Sequence, residues 1–191
     1  QTCALPILGG GQLGMMLCDA AKEIDIETHV FCPDDDCPSK GRSTYFSIGE
    51  YSDEEKIIKF SNSVDFITYE FENIPIKTVD FIKDQNKIRP GKQSLLLTQD
   101  RLTEKRFLDK LNIPIAPYKD LKTIDDVISA QNEFINSIVK TRTLGYDGKG
   151  QFNLRQSDDP NKVFNRIVSK SIIEKRIPFE FEVSVIIGRD I

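Results

Sequence analysis

The densest gathering of ligand-type residues runs from Ile138 to Gln151, where Lys140 ends a β-type run and a loop follows with Gly145, Gly148 and Gly150, with Tyr146, Asp147 and Lys149 among them. Glycines let a backbone approach a ligand closely and adopt positive φ at little cost. Successive N–H groups in such a loop form an anion-binding concavity, and lysines add point charges for phosphate. The spacing is not that of a P-loop, which ends in Gly-Lys-Ser/Thr and opens a helix. Here Gln151-Phe152-Asn153-Leu154-Arg155 reads as a strand. A glycine flap between two strands fits a nucleotide clamp of another kind, with an ordinary Gly-rich hairpin as the alternative. Asp147 is then either a turn former or, beside a phosphate site, a proton-transfer group.

Three further constellations bear on chemistry. Gly9-x-Gly11-x-x-Gly14 has the form of a dinucleotide fingerprint, with Asp34 twenty residues past Gly14, where a ribose-binding acid would sit. The same glycines fit a substrate-phosphate site or plain strand–helix packing. Glu70 and Glu72 lie two apart at the end of an apolar run, so they share one face of a strand and could hold a ribose hydroxyl or an amine. Glu174-Lys175-Arg176-Ile177 with Glu182 suits an edge that reads adenine through backbone groups and ribose through a carboxylate; equally it suits a charged surface strand. His29 reads as structural. Cys32, Cys37 and His29 lack the spacing of a standard zinc site, and Cys18 falls on a helix away from them, so no metal site is expected.

Positioning these residues requires strands and helices in alternation. Leu8 leads into a helix with Leu13, Leu17, Ala20 and Ile24 on one face. Strands are expected at 28–32, 45–48 and 64–71, with a capping box at Ser52–Glu55 opening one helix and Asn73 and Pro75 starting another. That pattern predicts an α/β fold with a doubly wound parallel sheet. Past Arg89-Pro90-Gly91 the rhythm changes to a helix over 92–112, a short strand near 116–118, a helix over 123–134, the strand–flap–strand, a helix over 158–168, and strands at 171–177 and 182–187. The expected division is a non-native leader at 1–7, an α/β domain at 8–99, a small subdomain with the flap at 100–172, and the start of a larger subdomain at 173–191. The leader is expected because codons for residues 1–7 can spell a common sequencing adapter, and because Pro6 falls where the first strand should run; resequencing the source locus decides it.

The chain has 191 residues and a net charge of −4, enough for a substantial core and a poor match to a general nucleic-acid or membrane-surface binder. No apolar run approaches the roughly 20 residues of a spanning helix, and reduced thiols fit a cytoplasmic enzyme.

Together, Gly9–Met16, Thr68–Pro75, Asp100–Lys105, Gly145–Gln151 and Glu174–Glu182 resemble, in order, the motifs of the 5-(carboxyamino)imidazole ribonucleotide synthase family of the ATP-grasp superfamily. The resemblance implies a pre-ATP-grasp domain followed by a partial ATP-grasp domain. It further implies ATP-dependent carboxylation of 5-aminoimidazole ribonucleotide with bicarbonate, through carboxyphosphate, in purine biosynthesis. By that resemblance Arg101, Lys140, Gly145, Tyr146, Asp147, Gly148, Lys149, Gly150, Gln151, Glu174, Lys175, Arg176, Ile177 and Glu182 contact ATP. Gln12, Leu13, Glu72 and Tyr146 face the ribonucleotide, and Asp147 assists proton removal from the amine. Mg2+ is implied as cofactor with its ligands beyond residue 191, so the fragment is expected to be inactive alone; a homodimer is implied at full length. Leu144 replaces the first of two glycines often found before the Tyr-Asp-Gly. The rivals are a formate-dependent glycinamide ribonucleotide transformylase, which usually carries Glu-Leu in place of Gln12-Leu13, a nicotinamide-dependent dehydrogenase, and a non-catalytic nucleotide-binding remnant.

Overall fold

The computed structural model describes residues 4–145 and 148–187, and the chain divides into two compact units, Gln1–Glu104 and Lys105–Ile191. Tyr146 and Asp147 lie outside the described residues.

The first unit begins with β1 (Leu5–Leu8), α1 (Gln12–Glu23), β2 (Thr28–Cys32), β3 (Tyr45–Ile48) and α2 (Glu54–Asn62). It continues with β4 (Thr68–Tyr69), α3 (Ile76–Asp80) and α4 (Lys92–Thr98), and the division falls inside α5 (Arg101–Lys110). The strands form one parallel sheet in the order β3-β2-β1-β4, the doubly wound arrangement that alternating strands and helices predict. Leu8, Phe31, Ile57, Phe60, Ile67 and Ile74 are among the buried residues of its core.

Pro6 lies within β1 rather than ahead of it. The Leu5 and Gly9 amides donate to Glu27 and Phe31, so odd-numbered amides of β1 aim at β2. Position 6 therefore faces the other side, where β4 pairs only from Ile7 onward. The missing N–H of proline thus leaves no ladder bond unmade.

The apolar stripe expected to bury α1 faces outward instead: Leu13 and Ile24 are 56% and 67% exposed. Gly14, Cys18 and Ala21 form the buried face, small enough for the helix to lie close on the sheet. Asp53, not Ser52, caps α2 by accepting from Lys56 N–H at 3.1 Å. Asn73 does not cap α3; its amide donates to Glu72, and Pro75 holds the cap position. The strand expected over 64–71 is only two residues long, and Ile67 just before it bridges to Ile88 in parallel through backbone bonds with Lys87 and Arg89. The single helix expected over 92–112 is two. Asp100 Oδ1 accepts from Leu102 and Thr103 N–H, a cap that starts α5 afresh.

The second unit holds β5 (Tyr118–Leu121), α6 (Ile124–Glu133), β6 (Asn136–Thr141), β7 (Gln151–Arg155), α7 (Pro160–Asn165) and β8 (Ser171–Lys175). They build an antiparallel sheet in the order β5-β8-β6-β7. Leu121, Val139, Leu154 and Ile173 pack on Val127, Ala130 and Phe134 of the α6 segment and Val163 of α7. Because side chains alternate along a strand, Lys140 and Glu174 project from the opposite face. The expected division at 172 and 173 falls inside β8. The strand expected at 182–187 is not formed: residues 181–187 belong to no regular element, and Phe181, Val183 and Val185 are each at least 75% exposed.

Candidate functional site

In the first unit, β2 and β3 lie on one side of β1 and β4 on the other. In a doubly wound sheet, ligands bind where the order reverses, outside the carboxyl ends of the strands. Gly9–Gly11 follow β1 and Glu70 follows β4, so both stand at that point. Gly9 has φ +117°, and a Cβ there would lie 2.6 Å from Glu70 Oε1. The Gly11 amide donates to that same oxygen at 3.3 Å, while Ser39 donates from N–H to Gly10 O and from Oγ to Gly11 O. Burial raises the Glu70 carboxyl above its ordinary value, the Gly11 amide opposes this, and Glu72 adds to the rise. A carboxylate at this helix N-terminus repels a pyrophosphate and suits a hydroxyl or an amine. Gln12 and Leu13 are exposed in the first turn of α1, and Glu72 is exposed beside Asn73. Each lies within two residues of the Gly11–Glu70 contact. Asp34 accepts from Asp36 N–H at 2.9 Å and is a turn former.

Cys18, contrary to the sequence expectation, joins Cys32 and Cys37 in one buried cluster with Ile7 and Val30, and a Cβ on Gly10 would collide with both Cys32 and Cys37. All three thiols are free. Burial pushes Cys32 up to about 11, which keeps it an unreactive thiol. Among the described residues no three His, Cys, Asp or Glu side chains gather as metal ligands. His29 bonds Ser47 Oγ at 2.8 Å and stacks edgewise on Phe60; burial lowers its pKa, leaving a neutral, structural ring.

In the second unit, Glu174 on β8 sits between two ammonium groups. Lys105 of α5 meets Oε1 at 2.8 Å and Lys140 of β6 meets Oε2 at 2.6 Å. The three side chains are 12%, 23% and 13% exposed for Lys105, Lys140 and Glu174. Burial alone would raise the Glu174 carboxyl; the hydrogen bonds and charges of Lys105 and Lys140 outweigh it and hold the group below its ordinary value. Lys140 pairs with Gln151 across the ladder, so it stands at the root of the glycine hairpin, which Thr141 N–H closes onto Gly150 O at 2.8 Å. Gly148 and Gly150 have φ +76° and +69°, and Leu144 has φ +58°, a left-handed conformation that costs a branched residue roughly 1–2 kcal/mol. Gly145 is partly buried and Lys149 is exposed.

Lys175, Arg176 and Ile177 line a cavity of about 500 Å³ with Glu133, Ile135 and Asn136; the Arg176 amide donates to Asn136 O at 3.0 Å. Glu182 is exposed outside any element, and Arg101 opens α5. The structure thus joins Lys140 and Glu174 at the hairpin root, keeps Arg101 in the first unit, and has Glu182 exposed in no regular element.

Residues 3–99 match the family model of the ribonucleotide synthetase pre-ATP-grasp domain, and residues 106–191 match that of the ATP-grasp domain. The chain belongs to the ATP-grasp ribonucleotide synthetases. It is 37% identical over 188 residues to the N5-carboxyaminoimidazole ribonucleotide synthase of Brucella melitensis, covering 96% of this chain and 52% of that protein. It is 37% identical over 189 residues to a bifunctional purine synthesis protein of Dictyostelium discoideum, covering 96% of this chain and 19% of that one. Among solved structures, the ADP complex of N5-carboxyaminoimidazole synthetase from Staphylococcus aureus superimposes with a TM-score of 0.82 at 34% identity, over 92% of this chain and 48% of that chain. The chain therefore spans about half the length of the synthases it matches.

Two residues gain their place only from partners distant in sequence: Lys105, the last residue of the Asp100–Lys105 run, meets Glu174, and of the Glu70 and Glu72 pair it is Glu70 that closes on the glycine loop.

Proposed function

We propose that the chain supplies the nucleotide- and ribonucleotide-binding parts of an ATP-dependent carbon–nitrogen ligase that carboxylates 5-aminoimidazole ribonucleotide with bicarbonate. The observation that carries this reading is the pair of partly buried lysines on Glu174 at the root of a glycine hairpin, in a chain whose relatives are N5-carboxyaminoimidazole ribonucleotide synthases. Phosphoryl transfer asks mainly for positioning and charge neutralisation. Lys140, Lys149, Arg101 and the amides of Gly145–Gln151 are suited to phosphate oxygens. Backbone groups of Glu174–Ile177 are suited to adenine, and Glu182 to ribose. A closed hairpin would keep water from carboxyphosphate. Gln12, Leu13 and Glu72 of the first unit are assigned to the ribonucleotide; by the family resemblance alone, Tyr146 is assigned to it too, and Asp147 to the proton that the exocyclic amine loses as its bond to carbon forms.

Magnesium is proposed as cofactor from the family alone; among the described residues no three His, Cys, Asp or Glu side chains gather as metal ligands. Free buried thiols fit the cytoplasm, and a homodimer is proposed from the family. The dehydrogenase reading is disfavoured because Glu70 occupies the place where a pyrophosphate would bind. A coupled ADP-release assay on the product of the complete coding sequence tests the proposal. ADP release that requires both bicarbonate and 5-aminoimidazole ribonucleotide supports it; release that requires formate and glycinamide ribonucleotide instead sinks it.

A further inference from the structure

Glu174 presents one oxygen to each lysine, and the two lysines are not equivalent. Lys105 is the more buried, and its ammonium also lies 5.4 Å from the centre of the Tyr118 ring. Tyr118 is held in turn, since its hydroxyl donates to Asp109 of α5 and its backbone is paired with Glu174 across the β5–β8 ladder. Lys105 therefore has two fixed partners, a carboxylate and an aromatic face. Lys140 meets the other oxygen of Glu174, is about twice as exposed, and stands opposite Gln151 where the hairpin begins.

To meet a phosphate, the Lys140 ammonium must leave Glu174 Oε2. Stripping a buried carboxylate of its counter-charge is costly. With Lys105 still on Oε1, the carboxylate keeps one cation and Lys140 can depart. Without Lys105, Lys140 becomes the sole counter-charge and is held where it is.

We propose that Lys105 is a positioning residue for nucleotide binding: it keeps the charge of Glu174 satisfied so that Lys140 can turn from the carboxylate to the phosphates of the ligand. This rests on the nucleotide reading above and deepens it. Lys105 touches no ligand in this scheme and acts only through Glu174.

The test is calorimetric titration of ADP into the chain and its variants, with circular dichroism to confirm that each is folded. Lys105→Met weakens ADP binding by at least about tenfold, and Lys105→Arg restores most of the loss. The decisive variant is the double substitution Lys105→Met with Glu174→Gln. Neutralising the carboxylate frees Lys140, so the double variant binds ADP more tightly than Lys105→Met alone. A purely structural role for Lys105 predicts the reverse, because the second substitution only removes another buried partner. If Lys105→Met binds ADP as the parent does, or the double variant binds no better than the single one, this inference fails while the nucleotide reading stands. If the parent chain itself has no affinity for ADP, the nucleotide reading fails and takes the inference with it.

Discussion

Substituting Gly9 by alanine separates the packing role of the first glycine loop from a ligand-binding role. Gly9 has φ +117°, and its added Cβ would lie 2.6 Å from Glu70 Oε1. Backbone strain in this region costs about 1–3 kcal/mol for a residue other than glycine. The Glu70 side chain can retreat, since the conflict is with its far end, but Gly11 N–H then loses its charged acceptor, a loss of about 1.5–3 kcal/mol where water does not replace it. Gly11 is exposed, so only part of that second cost applies, and the sum is about 2–4 kcal/mol. For a unit of this size each kcal/mol lowers Tm by about 4–8 °C, which predicts a fall of at least about 8 °C. Gly41→Ala serves as the control, because nothing lies within 4 Å of a Cβ there. Gly11→Ala is an inner comparison, with its nearest atom at 3.4 Å, an ordinary contact. The assay is thermal unfolding followed by circular dichroism on the three variants. A Gly9→Ala protein that melts with the Gly41→Ala control would show that the loop is not held by the close approach of Glu70, and the reasoning would be refuted.

Two other expectations follow from the same geometry. Glu174 has a lowered pKa in the fold, so its contribution to stability is present above the unfolded value near 4.3 and is lost as pH falls through the folded value. Glu174→Gln should therefore flatten the acid limb of a Tm-against-pH curve, and an unchanged limb counts against the ion triad. Gly150→Ala should lower stability by about 1–3 kcal/mol, because its φ is +69° and the new Cβ would stand 2.5 Å from Thr141 Oγ1; denaturant unfolding measures it, and a loss under about 0.5 kcal/mol would speak against a strained hairpin root.

What the sequence made legible was mostly local. The alternation of apolar strands with helices predicted the parallel sheet, and the spacing of Lys140 from the glycines placed the hairpin between two strands. What it hid depended on partners distant in the chain. The outward turn of Leu13 and Ile24 could not be read from periodicity, because two stripes compete on α1, one large and apolar, the other Gly14, Cys18 and Ala21. Close packing on the sheet selects the small one. Likewise the break of the 92–112 helix came from a single side chain, Asp100, whose capping bonds outweigh the helical propensity around it. The role of Lys105 is set by Glu174, sixty-nine residues away. A charge pair between elements leaves no periodic trace.

The segment from Phe179 to Ile187 carries apolar side chains at every second position, and Phe179, Phe181, Val183, Val185 and Ile187 are all at least 61% exposed. Its backbone belongs to no ladder, so each molecule offers its neighbours a ready template for edge-to-edge pairing. Encounters of that kind scale with the square of concentration. The working life of the purified chain in a tube will thus be governed by dilution, and a solubilising charge placed at Val183 should prolong it more than one placed anywhere on the first sheet.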